Sequence, residues 1–131
     1  MVKLVVLTKE DKNYISKARK LVKKTYLSNK EIISDVFSII ITESGNEFHG
    51  VDIENLLPGS GVCAETSALS NMILAGKGNS KLKMVLALYD YRPKYNKDDY
   101  QVLPPCKKCR HNLKKFGNPW IIVSKTKKTK L

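Results

Sequence analysis

The sequence predicts an α/β protein built on a mixed sheet, and three observations predict it. A β-branched and aromatic run, Val36 to Thr42, is joined by the turn residues Glu43-Ser44-Gly45-Asn46 to a second extended run, Glu47 to Ile53, so the two read as a hairpin. A third run, Lys83 to Tyr89, is apolar through its middle, as a strand covered on both faces is. Helical patterns stand before, between and after these runs, which is the alternation of a sheet covered by helices.

Taken in order, the elements read α-β-β-α-β-α-β. Thr8 and Asp11 make a helix-start arrangement with Asp in place of the usual Glu. Tyr14, Ala18, Leu21, Val22 and Tyr26 follow at helical spacing, with lysines between them. After the hairpin, Pro58-Gly59-Ser60-Gly61 breaks the chain. Ser60 or Gly61 is expected to cap the next helix. That helix carries Cys63 in its first turn, presents Ala64, Ala68, Leu69, Met72 and Ile73 as its apolar face, and ends near Gly76. Residues 90–103 read as a long polar and aromatic loop. Pro105 starts another helix, a favoured place for proline, and Gly117 ends it. Trp120 to Val123 is expected to be the last strand, and residues 125–131 a disordered basic tail. VKLVV near the start is strand-like, but its place relative to the sheet is open.

A chain of 131 residues is expected to form a single domain, 1–131, with its own core. No apolar run reaches the roughly 18 residues of a membrane span, and the apolar patch at the start is too brief for a secretory signal. The expectation is a soluble, cytoplasmic protein with no membrane partner. Three cysteines cannot all pair within one chain, and a C-x-x-C pair favours metal or redox chemistry in a reducing compartment. The net charge is +12, and Pro104 to Leu131 holds nine Lys or Arg with no Asp or Glu. Such a field attracts nucleic acid or nucleotides, although a solubilising surface accounts for it more simply.

The chemistry-bearing pattern is Cys63-Ala64-Glu65 followed at a distance by Pro105-Cys106-Lys107-Lys108-Cys109. A catalytic zinc keeps three protein ligands and leaves a position for water, and Cys63, Cys106 and Cys109 are the three candidates. Cys106 and Cys109 share one face of a helix, and Cys63 opens another. Unpaired N–H groups at helix starts favour thiolates. Water on zinc falls from a pKa of about 15.7 toward about 7. Glu65 is too near Cys63 along the chain to be a comfortable fourth ligand, but is well placed to carry a proton to a ring nitrogen while water attacks an amidine-like carbon and ammonia leaves. The alternative is a closed zinc knuckle with a histidine ligand. His111 is off the helical face of the cysteine pair and His49 lies upstream on a strand, so neither has finger-like spacing.

Two further segments complete the pattern. Gly50-Val51-Asp52-Ile53-Glu54-Asn55 is similar to a G-x-N-I-E-N segment, and Pro105 to Arg110 to P-C-x-x-C-R. On these residues the chain resembles the cytidine deaminase superfamily, and within it the small, single-domain nucleoside cytidine deaminases, with blasticidin S deaminase as a near relative. The likeness runs roughly from Val36 to Phe116. It implies a three-layer α-β-α fold with a mixed sheet of about five strands, a zinc cofactor on Cys63, Cys106 and Cys109, and Glu65 as the catalytic acid–base. It also implies ribose contacts from Asp52 and Glu54, a pyrimidine contact from the backbone at Ala64, and a homotetramer or dimer whose sites borrow residues from neighbours.

The implied function is hydrolytic deamination of cytidine or deoxycytidine in pyrimidine salvage. The alternatives are another cytosine nucleoside such as blasticidin S, a cytosine in RNA or DNA, and, less favoured, a zinc domain without catalysis. Departures from the family pattern are Asp52 for asparagine, Thr66 where many relatives carry arginine, Ser34 in place of a phenylalanine, Pro58 in place of an aromatic, and a lengthened segment before Pro105 with Tyr91, Tyr95 and Tyr100. One of these tyrosines could replace the missing phenylalanine as a stacking platform.

Overall fold

The computed structural model describes residues 3–29, 33–53 and 62–131. The elements are β1 (Val5–Val6), α1 (Lys9–Asn29), β2 (Ile33–Thr42), β3 (Glu47–Ile53), α2 (Ala64–Leu74), β4 (Leu82–Asp90), α3 (Arg92–Tyr95), β5 (Tyr100–Val102), α4 (Lys107–Leu113), a 3₁₀ turn (Lys114–Phe116), β6 (Trp120–Ile122) and β7 (Lys127–Lys130). Seven strands form one sheet in the order β1-β7-β6-β4-β2-β3, with β5 paired to β4. The β4–β6 pair is parallel and the other pairs are antiparallel, so the sheet is mixed as expected.

Side-chain alternation along β2 divides the core into two layers. Phe37, Ile39 and Ile41 pack with Met84, Leu86 and Leu88 of β4 against Ile15, Ala18 and Val22 of α1. Ile40, with Leu82, Val85 and Ile121, packs on the other side against Ala68, Leu69 and Met72 of α2 and Leu113 of α4. Helix α1 thus covers one face, and α2 with α4 covers the other. The start of α1 is fixed as the sequence suggests: the Thr8 N–H donates to Asp11 Oδ2 at 2.9 Å and the Asp11 N–H donates to Thr8 Oγ1 at 3.2 Å.

Several expectations are corrected. Residues 90–103 are not a plain loop, because α3 and β5 lie within them and β5 extends the sheet beside β4. The strand at Trp120 is not the last, and the basic tail is not disordered: β7 pairs with β6 on one side and β1 on the other. With β1 and β5 also in place, the mixed sheet has seven strands among the described residues, in keeping with the α/β fold expected. Lys128 Nζ meets Asp11 Oδ2 at 2.8 Å, and Lys128 and Lys130 each lie 4.8 Å from the centre of the Trp120 ring. Ile73 is 54% exposed and does not belong to the apolar face of α2. The two site helices begin later than expected, with Cys63 and Cys106 themselves as N-caps; Ser60 and Gly61 lie outside the described residues.

Two contacts set the architecture. A Cβ added at Gly50 would stand 2.3 Å from both the Ala64 carbonyl oxygen and the Ala68 nitrogen, so only glycine lets β3 lie this close to the start of α2. At the end of β4, Asp90 has no exposed surface and accepts from Arg19 Nε at 2.9 Å and from Arg92 Nε and Nη2 at 3.1 and 2.9 Å. Burial pushes its carboxyl up, but the two guanidinium groups outweigh that and hold it below the usual carboxylate range.

Gly50→Ala is expected to lower stability by about 2–3 kcal/mol, as overpacking against backbone does, read from denaturant midpoints. Because the folded-state pKa of Asp90 is depressed, its contribution is complete above the ordinary carboxylate pKa of about 4 and is lost as pH falls through the lower folded value. Asp90→Asn should therefore cost stability at pH 7 and much less near pH 2–3, measured by urea unfolding at the two pH values.

Candidate metal centre and active site

The backbone explains why three cysteines from two distant segments converge. Cys63 and Cys106 both adopt extended backbone at the starts of α2 and α4. Each has its carbonyl accepting the first helical hydrogen bond, from the Ser67 N–H at 3.1 Å and the Arg110 N–H at 2.9 Å. Cys109 lies in the first turn of α4 and is buried. The three Sγ atoms all lie within 4.8 Å of one another. Sulfurs bound tetrahedrally at about 2.3 Å stand about 3.8 Å apart, so slight inward side-chain movement closes the set on an ion. Zinc, which prefers thiolates in tetrahedral array, is the cofactor this donor set fits.

The electrostatics agree with a site made for a cation. Burial pushes the Cys63 thiol up, and the neighbouring Cys106 adds to it. Burial, then the charge of Glu65, pushes Cys109 up strongly. Cys106 is lowered, chiefly by the backbone N–H of Cys109. Three thiolates this close beside a carboxylate repel one another, and a dication removes that repulsion. Thr66 Oγ1 lies 3.7 Å from Cys109 Sγ. A hydroxyl thus contacts the sulfur from the position where the family pattern places an arginine. Neither histidine joins the cysteines among the described residues: His49 packs beside Phe37 with ring centres 5.6 Å apart, and His111 is exposed on α4.

An open cavity of about 390 Å³ adjoins the sulfurs and is lined by Cys63, Cys106, Ala64, Glu65 and Asp52, with Val36, Ile53, Val62, Leu103 and Pro104 as apolar walls. Glu65 is 6% exposed. Burial is the main cause holding its carboxyl above the usual range, with the charge of Asp52 adding to it. The structure therefore brings together Asp52, Ala64, Glu65 and the cysteines. Glu54 and Pro58 lie outside the described residues. Ser34 lies on β2, and Tyr91 and Tyr95 line a separate cleft with Tyr89. Tyr100 turns toward α1, with the Arg19 guanidinium 4.5 Å from its ring centre. No tyrosine lines the cysteine cavity among the described residues.

Sequence reasoning missed the apolar walls. Val62 reaches the cavity because its carbonyl accepts from the Ile53 N–H at 3.0 Å, forming an isolated bridge just before α2. Leu103 and Pro104 follow β5 directly, so their placement depends on a strand that the polar composition of residues 90–101 does not announce.

The model of the cytidine and deoxycytidylate deaminase zinc-binding region matches residues 8–125. The chain belongs to this family. Among solved structures, the cytidine deaminase from Mycobacterium leprae superposes with a TM-score of 0.62 at 21% identity, covering 88% of this chain and 92% of that one. The cytidine deaminase from Burkholderia pseudomallei gives 0.62 at 21% identity, covering 90% and 85%. That from Bacillus anthracis gives 0.62 at 19%, covering 83% and 74%. At these identities the likeness is one of fold: the α/β architecture with its mixed sheet is that of the cytidine deaminases.

Zinc loading is expected to raise the thermal midpoint, since a ligand that binds only the folded state stabilises it. Cys109→Ser should abolish zinc retention through gel filtration and remove the response of the midpoint to chelator, as metal analysis and thermal scans will show.

Proposed function

We propose that the protein hydrolyses the exocyclic amine of cytidine and deoxycytidine, giving the uracil nucleoside and ammonia. The observation that carries this reading is the placement of Glu65, buried in the same cavity as Cys63 and Cys106 and with its carboxyl held above the ordinary range. A proton carrier works best with a pKa drawn toward the operating pH.

In this reading Cys63, Cys106 and Cys109 hold zinc, which supplies when bound a water acidic enough to ionise near neutral pH. Glu65 takes one proton of the attacking water and delivers it to the ring nitrogen, then takes the remaining hydroxyl proton of the adduct and passes it to the departing amine. The water oxygen replaces the amino nitrogen on the ring carbon, so the balance is one water in and one ammonia out. The backbone at Ala64 positions the pyrimidine. Asp52, with Glu54, accepts from the sugar hydroxyls, and Val36, Val62 and Leu103 shield the base from water.

Asp52 also bears on the choice of substrate. A carboxylate beside the sugar repels a phosphate and welcomes a cation. Cytidine is therefore favoured over CMP, and a cationic cytosine nucleoside such as blasticidin S is the second reading.

Glu65→Gln is expected to retain zinc and lose turnover by about a thousandfold or more. Ammonia release from cytidine, deoxycytidine, blasticidin S, CMP and a single-stranded oligonucleotide is the measurement. Turnover of the oligonucleotide alone would remove the nucleoside reading, and CMP turned over as well as cytidine would remove the role given to Asp52.

A further inference from the structure

A second cavity, of about 540 Å³, lies on the far side of Pro104 from the cysteine cavity, between α4 and the strands β6 and β7. Its volume is that of a small-ligand pocket. Lys107, Arg110, Lys114 and Lys130 line it, His111 adds an imidazole, and no acidic side chain lines it. Lys107, Arg110 and Lys114 recur at spacings of three and four along α4 and the turn that follows, so they stand on one face. Among the described residues no ion pair involves any of these four cations. This contrasts with Arg19, Arg92, Lys125 and Lys128, which are all held by carboxylates. Ile121 and Val123 give the cavity an apolar floor.

We propose that this cavity binds a compact polyphosphate, either free pyrophosphate or the phosphate chain of a nucleotide whose base rests on Ile121 and Val123. Three cations on one face of α4, with no acidic side chain lining the cavity, concentrate positive potential in a concave site; the Lys130 ammonium is turned away, donating to the Asn118 carbonyl at 3.2 Å and lying over Trp120. Guanidinium and ammonium groups are the side chains that recognise phosphate oxygens. A cavity of about 540 Å³ suits a short anion better than a continuous strand, which needs a long groove. The site is independent of the deamination reading, because none of its four cations lines the cysteine cavity.

The test uses the full-length, zinc-loaded protein at fixed salt, with titration calorimetry against pyrophosphate, adenosine triphosphate and a single-stranded oligodeoxynucleotide. Pyrophosphate and the triphosphate should bind saturably, and Lys114→Gln should weaken both at least tenfold while Lys114→Arg restores most of the affinity. Tighter binding of the triphosphate identifies a nucleotide as the occupant, and equal binding identifies the phosphate chain alone. Zinc content and circular dichroism check that each variant remains folded. A control variant, Lys12→Gln with Lys20→Gln and Lys23→Gln on the exposed side of α1, should leave binding within about twofold. Equal loss in the control, saturable binding of the oligonucleotide alone, or no saturable binding of either polyphosphate would overturn the proposal.

Discussion

The close approach of β3 to α2 at Gly50 is the constraint on which the rest of the site depends. The alanine carbonyl at position 64 and the nitrogen at 68 occupy the space where any side chain at 50 would begin. That contact fixes the start of α2 against β3, and Asn71 Nδ2 reinforces it one turn further on by donating to the His49 carbonyl at 2.7 Å. With the helix start fixed, Cys63, Ala64 and Glu65 fall opposite Asp52, which lies two residues beyond Gly50 on the same strand. The bridge between Ile53 and Val62 closes the approach from the other side. Glu65, Cys63 and Asp52 are thus positioned by one backbone packing event rather than by separate loops.

The parts legible in the sequence were those in which a local rule and the tertiary fold agree. The Thr8–Asp11 cap, the hairpin and the buried β4 each carry a pattern that backbone geometry enforces. The C-A-E and P-C-x-x-C segments were legible because metal coordination restricts residue type and spacing together. The illegible parts were strands whose side chains mislead. Lys127-Lys128-Thr129-Lys130 contains no apolar residue, yet it is a strand between two others. Its lysine stems lie along Trp120 and toward Asp11 while the ammonium groups find partners. Tyr100-Gln101-Val102 is too short to show alternation. The cavity walls Leu103 and Pro104 inherit their positions from that strand, so no motif could have named them.

Charge is distributed with equal economy of means. The chain carries 24 Lys or Arg against 12 Asp or Glu, and three of the carboxylates join elements. Asp11 joins α1 to β7, Glu47 joins β3 to α1 through Lys17, and Asp90 joins β4 to α1 and α3. The buried carboxylate of Asp90 meets two guanidinium groups and a backbone N–H, the full complement that a charge removed from water requires. Concentrating the acidic residues at these junctions leaves the outer face of α4 uniformly cationic, and the excess charge of the molecule gathers there.

The indole at position 120 has a consequence of its own. It is the only tryptophan in the chain, and two lysines of the final strand flank its ring. Its emission is therefore a built-in optical gauge of whether the carboxy-terminal strand is docked. Undocking would withdraw two positive charges from the ring and open it to solvent, shifting the spectrum without any label and at a distance from the chemistry of the cysteines.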